Sequence, residues 1–232
     1  MDRRKFHKLC GGLLSSAAAT HLSLGTSAAS DQGPFPKSKL MYQDKTPVTL
    51  ASLQTGVSHV FSYPYVTTPC FLVRLTRSAP GNGSWPGGLD TEQSVVAFSA
   101  ICSHKMSHPA KPISHISYRE QEVTFYDANG QSQTRDGVIS CCSERSVYDP
   151  ANLGEVLAGP APSPLAAIAL SADENGQISA IGSYGDDQYE RFLSKFGFRL
   201  AMEYGVTDIR ARAGAECTVQ RADEFSAQQV LC

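Results

Sequence analysis

Two short segments of this 232-residue chain concentrate side chains that bind transition metals. The first is Cys102-Ser103-His104, and the second runs from Ser140 to Ser146 and contains two adjacent cysteines. Thiolate and imidazole groups are good ligands for transition metals. A single cysteine is more often a buried apolar side chain, but a cysteine two residues before a histidine, directly after a strand-like run, favours a metal site. The pattern therefore predicts a metal centre in loops at strand ends.

The elements that must position these loops are short runs of β-branched and aromatic residues bounded by turn formers. The clearest runs are 59–63, 70–75, 94–98, 123–126, 137–140, 165–170 and 178–181. Asp127–Gly130 and Asp173–Gly176 are typical of tight turns that follow strands. Apolar side chains at helical spacing over 188–196 predict one amphipathic helix. The chain is therefore expected to be all-β, with a short helical C-terminal extension.

Composition and motif content argue against several classes of function. Hydrophobic residues make up 41% and charged residues 18% of the chain, with 19 Gly and 13 Pro, which is typical of an ordered globular protein with many turns. The formal net charge is −2, and the body lacks the clustered Lys and Arg that nucleic acids and anionic lipids require. No phosphate-binding glycine loop and no nucleophile elbow is present, so hydrolase functions have little support.

The N-terminus has the order of a targeting segment. The segment from Asp2 to Lys8 is rich in basic residues. A mildly apolar stretch follows it, and then small residues up to Ser30. The adjacent Arg3 and Arg4 resemble the twin-arginine export signal, which implies a periplasmic protein. Retention as a weak membrane anchor is the alternative, and membrane contact is expected at most through this segment. The predicted organisation is a signal over 1–29, a lead over 30–45, a β-domain over 46–185 and an extension over 186–232.

Three motifs in order resemble the Rieske-type iron–sulfur proteins. The segment 97–104 resembles the first cluster box, a strand running into C-x-H. The segment 141–149 matches the second box, C-x-C-H-x-S-x-[FY]-D, at Cys141, Ser146, Tyr148 and Asp149. Residues 159–165 resemble the proline loop that covers the cluster in that family. The segment 63–75 further resembles the small Rieske subunit of arsenite oxidase.

The resemblance implies a fold, a cofactor and a site. The expected fold is a Rieske-like antiparallel β-sandwich with a cluster-binding subdomain, and the expected cofactor is a [2Fe–2S] cluster. In this family one iron is held by two cysteines and the other by two histidines. The matching metal ligands here are Cys102, His104 and Cys141. The residues that would contact the cluster or cover it are Ser146, Tyr148, Gly159, Pro160 and Pro162.

The second box departs from the family at the remaining ligand. Glu144 stands where the second histidine is expected, and no histidine lies C-terminal to the box. Three possibilities stay open: Glu144 binds iron through its carboxylate; His108, His115 or Cys142 takes its place; or no cluster is held and the fold serves as a scaffold. A hard anionic oxygen in place of imidazole should stabilise ferric iron and lower the reduction potential.

Two cysteine expectations follow. The family often links its two loops by a disulfide, but the matching positions are Ser107 and Ser143, which implies looser loops. Cys217 and Cys232, left over in the tail of an exported chain, are expected to pair. Cys70, in an apolar strand, is expected to be a buried free thiol.

The expected function is electron transfer and not catalysis by the chain itself. The partner that the resemblance implies is a redox protein such as a molybdenum oxidoreductase large subunit or a cytochrome. The alternative is a cluster-free interaction subunit that stabilises a larger complex.

Overall fold

The computed structural model describes residues 35–185 and 188–232. The predicted export segment, residues 1–29, lies outside the described residues. No helix in the described part of the chain is long and apolar enough to cross a membrane.

Fifteen strands and two α-helices are found within the described ranges. The first eight strands are β1 (Ser38–Tyr42), β2 (Ser58–Ser62), β3 (Pro69–Arg74), β4 (Pro80–Asn82), β5 (Trp85–Gly87), β6 (Val95–Ser99), β7 (Ile116–Arg119) and β8 (Val123–Tyr126). The others are β9 (Ser132–Arg135), β10 (Val138–Cys141), β11 (Ser146–Asp149), β12 (Glu155–Ala158), β13 (Ala167–Ala172), β14 (Ile178–Tyr184) and β15 (Glu216–Arg221). The helices are α1 (Tyr189–Tyr204) and the single turn α2 (Ala222–Phe225), and a 3₁₀ turn spans Leu50–Ser52.

Seven strands close into a barrel in the order β1-β14-β13-β6-β3-β2-β15. The neighbouring strands are antiparallel, except β15 and β1, which pair in parallel and close the barrel. β6 is buried along its whole length because it lies between β3 and β13. Closure leaves no free sheet edge, so the end of β6 is a rigid base for the segment that follows it.

A second sheet, with strand order β12-β11-β10-β7, stands beside the barrel, and β8 and β9 form a separate hairpin. Asp127–Gly130 makes the predicted turn of that hairpin, since the amide of Gly130 donates to the carbonyl of Asp127. All strands of the second sheet are antiparallel. The predicted all-β class with a separate subdomain is confirmed, and the larger sheet takes the form of a closed barrel.

The barrel extends beyond the predicted limits of 46–185. β1 lies in the predicted lead, and β15 lies in the predicted extension. In β15 the buried side chains alternate with exposed ones, Cys217 and Val219 pointing into the core. Alternation is the signature of a half-buried strand, but its partners β1 and β2 lie more than 150 residues earlier in the chain. The two segments join the domain because they complete its sheet.

The predicted helix is present and is longer than expected. α1 runs for 16 residues and ends at Tyr204, and the left-handed backbone of Gly205 (φ 63°) caps it. Its buried side chains include Phe192, Leu193 and Leu200. The His108 ring packs against Phe192 and Phe196, with centroid distances of 4.7 and 5.1 Å. The helix therefore supports the loop that follows β6.

Candidate metal centre

The first predicted ligand segment is a tight loop at the end of β6. The amide of Cys102 donates to the carbonyl of Ser107, and the amide of Met106 donates to the carbonyl of Cys102, both at 2.9 Å. Met106 has a left-handed backbone (φ 64°), which lets the chain reverse there. We call residues 100–108 loop 1. Because its base is a buried barrel strand, Cys102 has a defined position.

The second predicted ligand segment is the hairpin loop between β10 and β11. Cys141 is the last residue of β10 and faces Ser146, the first residue of β11. Arg145, just before β11, has φ 58° and completes the reversal. We call residues 141–146 loop 2. The sheet of β10 and β11 holds it beside loop 1.

The two loops bring the thiols of Cys102 and Cys141 together in the core. Both side chains are buried and lie in the same apolar cluster. A hydrogen bond from the Cys141 thiol lowers the pKa of Cys102 to about 5, against the opposing effect of burial. The same hydrogen bond, together with burial, raises the pKa of Cys141. The hydrogen bond therefore favours the thiolate form of Cys102 and the protonated form of Cys141.

Two hydroxyl groups of β11 surround the thiol pair. Tyr148 Oη lies 3.2 Å from Cys102 Sγ and accepts a hydrogen bond from the Ser103 amide at 3.1 Å. Burial raises the pKa of Tyr148, so its hydroxyl keeps its proton. Ser146 Oγ is buried without a hydrogen-bond partner among the described residues, although it lies near enough to Cys102 to lower the pKa of that thiol. These hydroxyls are available as donors to sulfur.

His104 and Glu144 lie at the mouth of the site. Nδ1 of His104 is buried and has no hydrogen-bond partner within the described ranges. The Glu144 carboxylate pairs with Lys105 Nζ at 2.5 Å. The hydrogen bond from Lys105, with a smaller contribution from His104, lowers the pKa of Glu144. Glu144 is therefore a carboxylate that faces His104 and is already engaged by a lysine.

The ligand atoms are not gathered into a closed coordination sphere. No group of three or more His, Cys, Asp or Glu side chains in the described part of the chain is close enough to hold one metal ion. The predicted ligands fall into two pairs, the Cys102–Cys141 thiols inside and His104 with Glu144 outside.

The two serines at the family's disulfide positions face each other. Ser107 Oγ donates to Ser143 Oγ at 2.9 Å. A hydrogen bond therefore joins loop 1 to loop 2 at the two positions where Rieske-type proteins often have a disulfide. A hydrogen bond restrains the loops less than a disulfide does, and this one is exposed to water.

The predicted cover lies over both loops. Gly159 has φ 85°, and a Cβ there would lie 2.5 Å from the Arg145 carbonyl oxygen. Only glycine permits this approach. Ser103 Oγ donates to the Ser163 carbonyl at 2.7 Å, which ties loop 1 to the same segment. Pro160 and Pro162 are exposed on its outer side.

The disulfide expectation for the tail is wrong. Cys232 is bonded to Cys142, 90 residues away, and not to Cys217. Cys217 points into the barrel core, where its thiol donates to the Ser62 carbonyl. The end of the tail therefore lies against loop 2. Because the sulfur of Cys142 is in a disulfide, Cys142 is not available as the alternative iron ligand. Cys70 is a buried free thiol, as predicted.

Sequence reasoning missed a charged cluster at the end of β11. Asp149 is nearly buried and binds Arg77 at 2.6 Å and Arg135 at 2.9 Å. Its carboxylate also accepts from the Ala151 amide. These contacts pin the strand that carries Tyr148 and Ser146. The aspartate at the end of the second-box motif was the available signal, but one of its partners lies in the loop after β3 and the other at the end of β9.

No protein-family model matches the chain. Among solved structures, the chain is similar to the soluble domain of the Rieske protein II from Sulfolobus acidocaldarius, with 24% identity over 67% of this chain and 83% of that chain, at a TM-score of 0.45. It is also similar to the ferredoxin of carbazole 1,9a-dioxygenase from Nocardioides aromaticivorans IC177, with 19% identity over 59% of this chain and 94% of that chain, at a TM-score of 0.34. A quaternary ammonium Rieske monooxygenase matches with 11% identity over 67% of this chain and 36% of its own, at a TM-score of 0.34.

Proposed function

We propose that this protein is an electron-transfer protein, or the electron-transfer subunit of an oxidoreductase, that carries a Rieske-type [2Fe–2S] cluster with a variant ligand set. The observation that carries the proposal is the pair of buried thiols from two separate loops, Cys102 and Cys141, with the Tyr148 hydroxyl 3.2 Å from one of them. A structural role for two isolated cysteines would not require a polar group at their sulfurs.

The residues present fit such a cluster. The thiolates of Cys102 and Cys141 would hold one iron, and His104 with Glu144 would hold the other. His104 Nδ1 is a buried polar atom without a hydrogen-bond partner among the described residues, which costs free energy unless another group binds there. When bound, a [2Fe–2S] cluster supplies a one-electron couple.

The surrounding residues would set the reduction potential in opposite directions. Hydroxyl donors to sulfur, here Tyr148 and Ser146, stabilise the more negative reduced state and raise the potential. The Glu144 carboxylate, as a ligand, would stabilise the ferric state and lower the reduction potential. Lys105 offsets part of the Glu144 charge.

We further propose that the protein works in the periplasm. Adjacent arginines at positions 3 and 4 begin a twin-arginine-like export segment. The Cys142–Cys232 disulfide supports this location because disulfides persist in oxidising compartments. The partner would be a molybdenum oxidoreductase large subunit or a cytochrome, docking where His104 and Glu144 lie close to the surface.

The experiment that tests the proposal is metal analysis of folded protein purified without oxygen. We expect visible absorption from iron–sulfide charge transfer, with two iron and two sulfide per chain. Colourless, folded protein without iron after anaerobic preparation would refute the electron-transfer function.

Two substitutions test the ligand set. Glu144→His should keep the cluster and raise its potential, and Glu144→Ala should weaken iron binding. Glu174→Ala, in the exposed turn between β13 and β14, is the matched control and should change neither. An unchanged spectrum and potential in both Glu144 variants would eliminate Glu144 as a ligand.

The second candidate is a cluster-free interaction subunit. The pairing of Glu144 with Lys105 favours it, because the carboxylate is already satisfied without iron. Under this function the thiol pair is a core contact, and Cys102→Ala should leave binding to a partner unchanged. Iron at two atoms per chain would reject this candidate.

A further inference from the structure

The C-terminal segment, residues 226–232, runs back along the loop that leads into β7. Ser226 Oγ donates to the Ala110 carbonyl, and the amide of Ala227 donates to the Lys111 carbonyl, both at 2.8 Å. The amide of Ser114 donates to the Gln228 carbonyl, and the amide of Val230 donates back to the Ser114 carbonyl, also at 2.8 Å. The segment thus adds a short parallel partner to residues 110–115, and we call it the tail strap.

The residues under the tail strap support loop 2 directly. Residues 110–115 continue into β7, whose first residue, Ile116, pairs with Cys141 at the end of β10. The amide of Cys142 donates to the His115 carbonyl at 2.6 Å. The tail strap is therefore the outer layer of the structure that holds Cys141 in place.

The tail strap ends in a covalent bond to loop 2. Cys232 is joined to Cys142, the residue directly after Cys141. The side-chain links at the exposed ends of loop 1 and loop 2 are non-covalent, namely the hydrogen bond of Ser107 with Ser143 and the ion pair of Lys105 with Glu144. None of the residues from Cys142 to Arg145 is buried, so apolar packing contributes little to holding this turn.

We infer that the tail strap, fastened by the Cys142–Cys232 disulfide, is a positioning device that holds Cys141 of loop 2 against Cys102. The inference rests on the proposed function only for what the thiol pair binds, because the tether itself can be measured with or without iron.

The test is a comparison of thiol reactivity in the folded protein. The double variant Cys142→Ser/Cys232→Ser removes the disulfide without leaving a free thiol. Iodoacetamide labelling followed by peptide mass spectrometry would report each remaining cysteine. Cys70 is the internal reference because it is as fully buried as Cys141 but lies in β3 of the barrel.

We expect Cys141 to label at least tenfold faster in the double variant than in the wild type, with Cys70 changed by less than twofold. Cys217→Ser removes a buried thiol of the barrel strand β15, outside the sheet that carries Cys141, and should leave the Cys141 rate unchanged. Equal acceleration of Cys70 and Cys141 would mean general loosening, and no acceleration would mean that the strap positions nothing. Either result overturns the inference.

A second arm covers a double variant that fails to fold. Wild-type protein treated with a water-soluble phosphine gives the same opened state: the S–S bond breaks, two thiols form, and the phosphine takes the oxygen of water. If the protein carries iron, its release to a chelator should also become at least tenfold faster, and the shape of the electron paramagnetic resonance signal of the reduced protein should change. Protein without iron refutes the proposed function, while the labelling ratio still decides the tether.

Discussion

Replacing Ser107 and Ser143 together by cysteine should cross-link loop 1 to loop 2 and stabilise the protein. The two hydroxyl oxygens are already 2.9 Å apart, so two sulfurs at these positions need only a small movement to bond. The new bond would close a loop spanning 36 residues. The chain-entropy relation assigns such a loop about 4 kcal/mol at 25 °C.

The net gain is smaller because the hydroxyl–hydroxyl hydrogen bond is lost. That bond contributes about 1 kcal/mol, which leaves about 3 kcal/mol. For a protein of this size, 1 kcal/mol shifts Tm by roughly 2–4 °C. The oxidised double variant should therefore melt roughly 6–12 °C above the wild type.

Calorimetry without reductant is the appropriate assay, since it leaves the Cys142–Cys232 disulfide intact in both proteins. Peptide mapping must first confirm the pairing, because Ser107 lies close enough to Cys141 to lower the pKa of that thiol. Ser107→Ala/Ser143→Ala is the control and should melt roughly 2–4 °C below the wild type. A correctly paired cross-link that leaves Tm unchanged or lower would refute the assigned loop geometry.

Three further changes test the support of the site and one buried histidine of the barrel. Gly159→Ala should lower the free energy of unfolding, measured in urea, by about 3 kcal/mol, because its Cβ would lie 2.5 Å from backbone in a left-handed conformation. Gly130→Ala is the control: its backbone is also left-handed but its Cβ would lie in open space, so it should cost about 1 kcal/mol. Asp149→Asn should lower the free energy of unfolding by about 2–3 kcal/mol in the same assay, because two arginines lose their counter-charge. The control Asp223→Asn breaks an exposed ion pair and should cost less than 1 kcal/mol. Equal costs for the two variants would contradict this account. Burial lowers the pKa of His59, so below about pH 6.5 the unfolded chain binds a proton that the folded chain does not. The free energy of unfolding should therefore fall as the pH drops below about 6.5, by at most about 1.4 kcal/mol per unit from this residue. His59→Gln should flatten the slope, and an identical slope would exclude His59 as its source.

Local sequence was sufficient for the elements that carry the site. The runs that became β6, β10 and β13 are short, apolar and bounded by turn formers, so their identity depends on residues a few positions apart. The spacing of Cys102 and His104 and the hydroxyls of Ser146 and Tyr148 were readable for the same reason. The turn at Asp127–Gly130 needs only its own side chains and glycine.

Closure of the barrel was not readable because it depends on contacts between distant segments. β1 pairs with β15 across about 180 residues, and neither strand is apolar enough to be recognised alone. The polar segment that forms β15 belongs to the barrel because β1, its parallel partner, satisfies its backbone hydrogen bonds.

The cysteine pairing shows most directly what tertiary structure decided. Cys217 is the cysteine nearest to Cys232 in sequence, but the alternation of β15 turns Cys217 into the barrel core. The tail strap then carries Cys232 to loop 2, where Cys142 lies. In the same way, only the fold placed Lys105 beside Glu144 and Ser107 beside Ser143. The sequence by itself determined which side chains could bind a metal, and the packing of two loops from different sheets decided which of them meet.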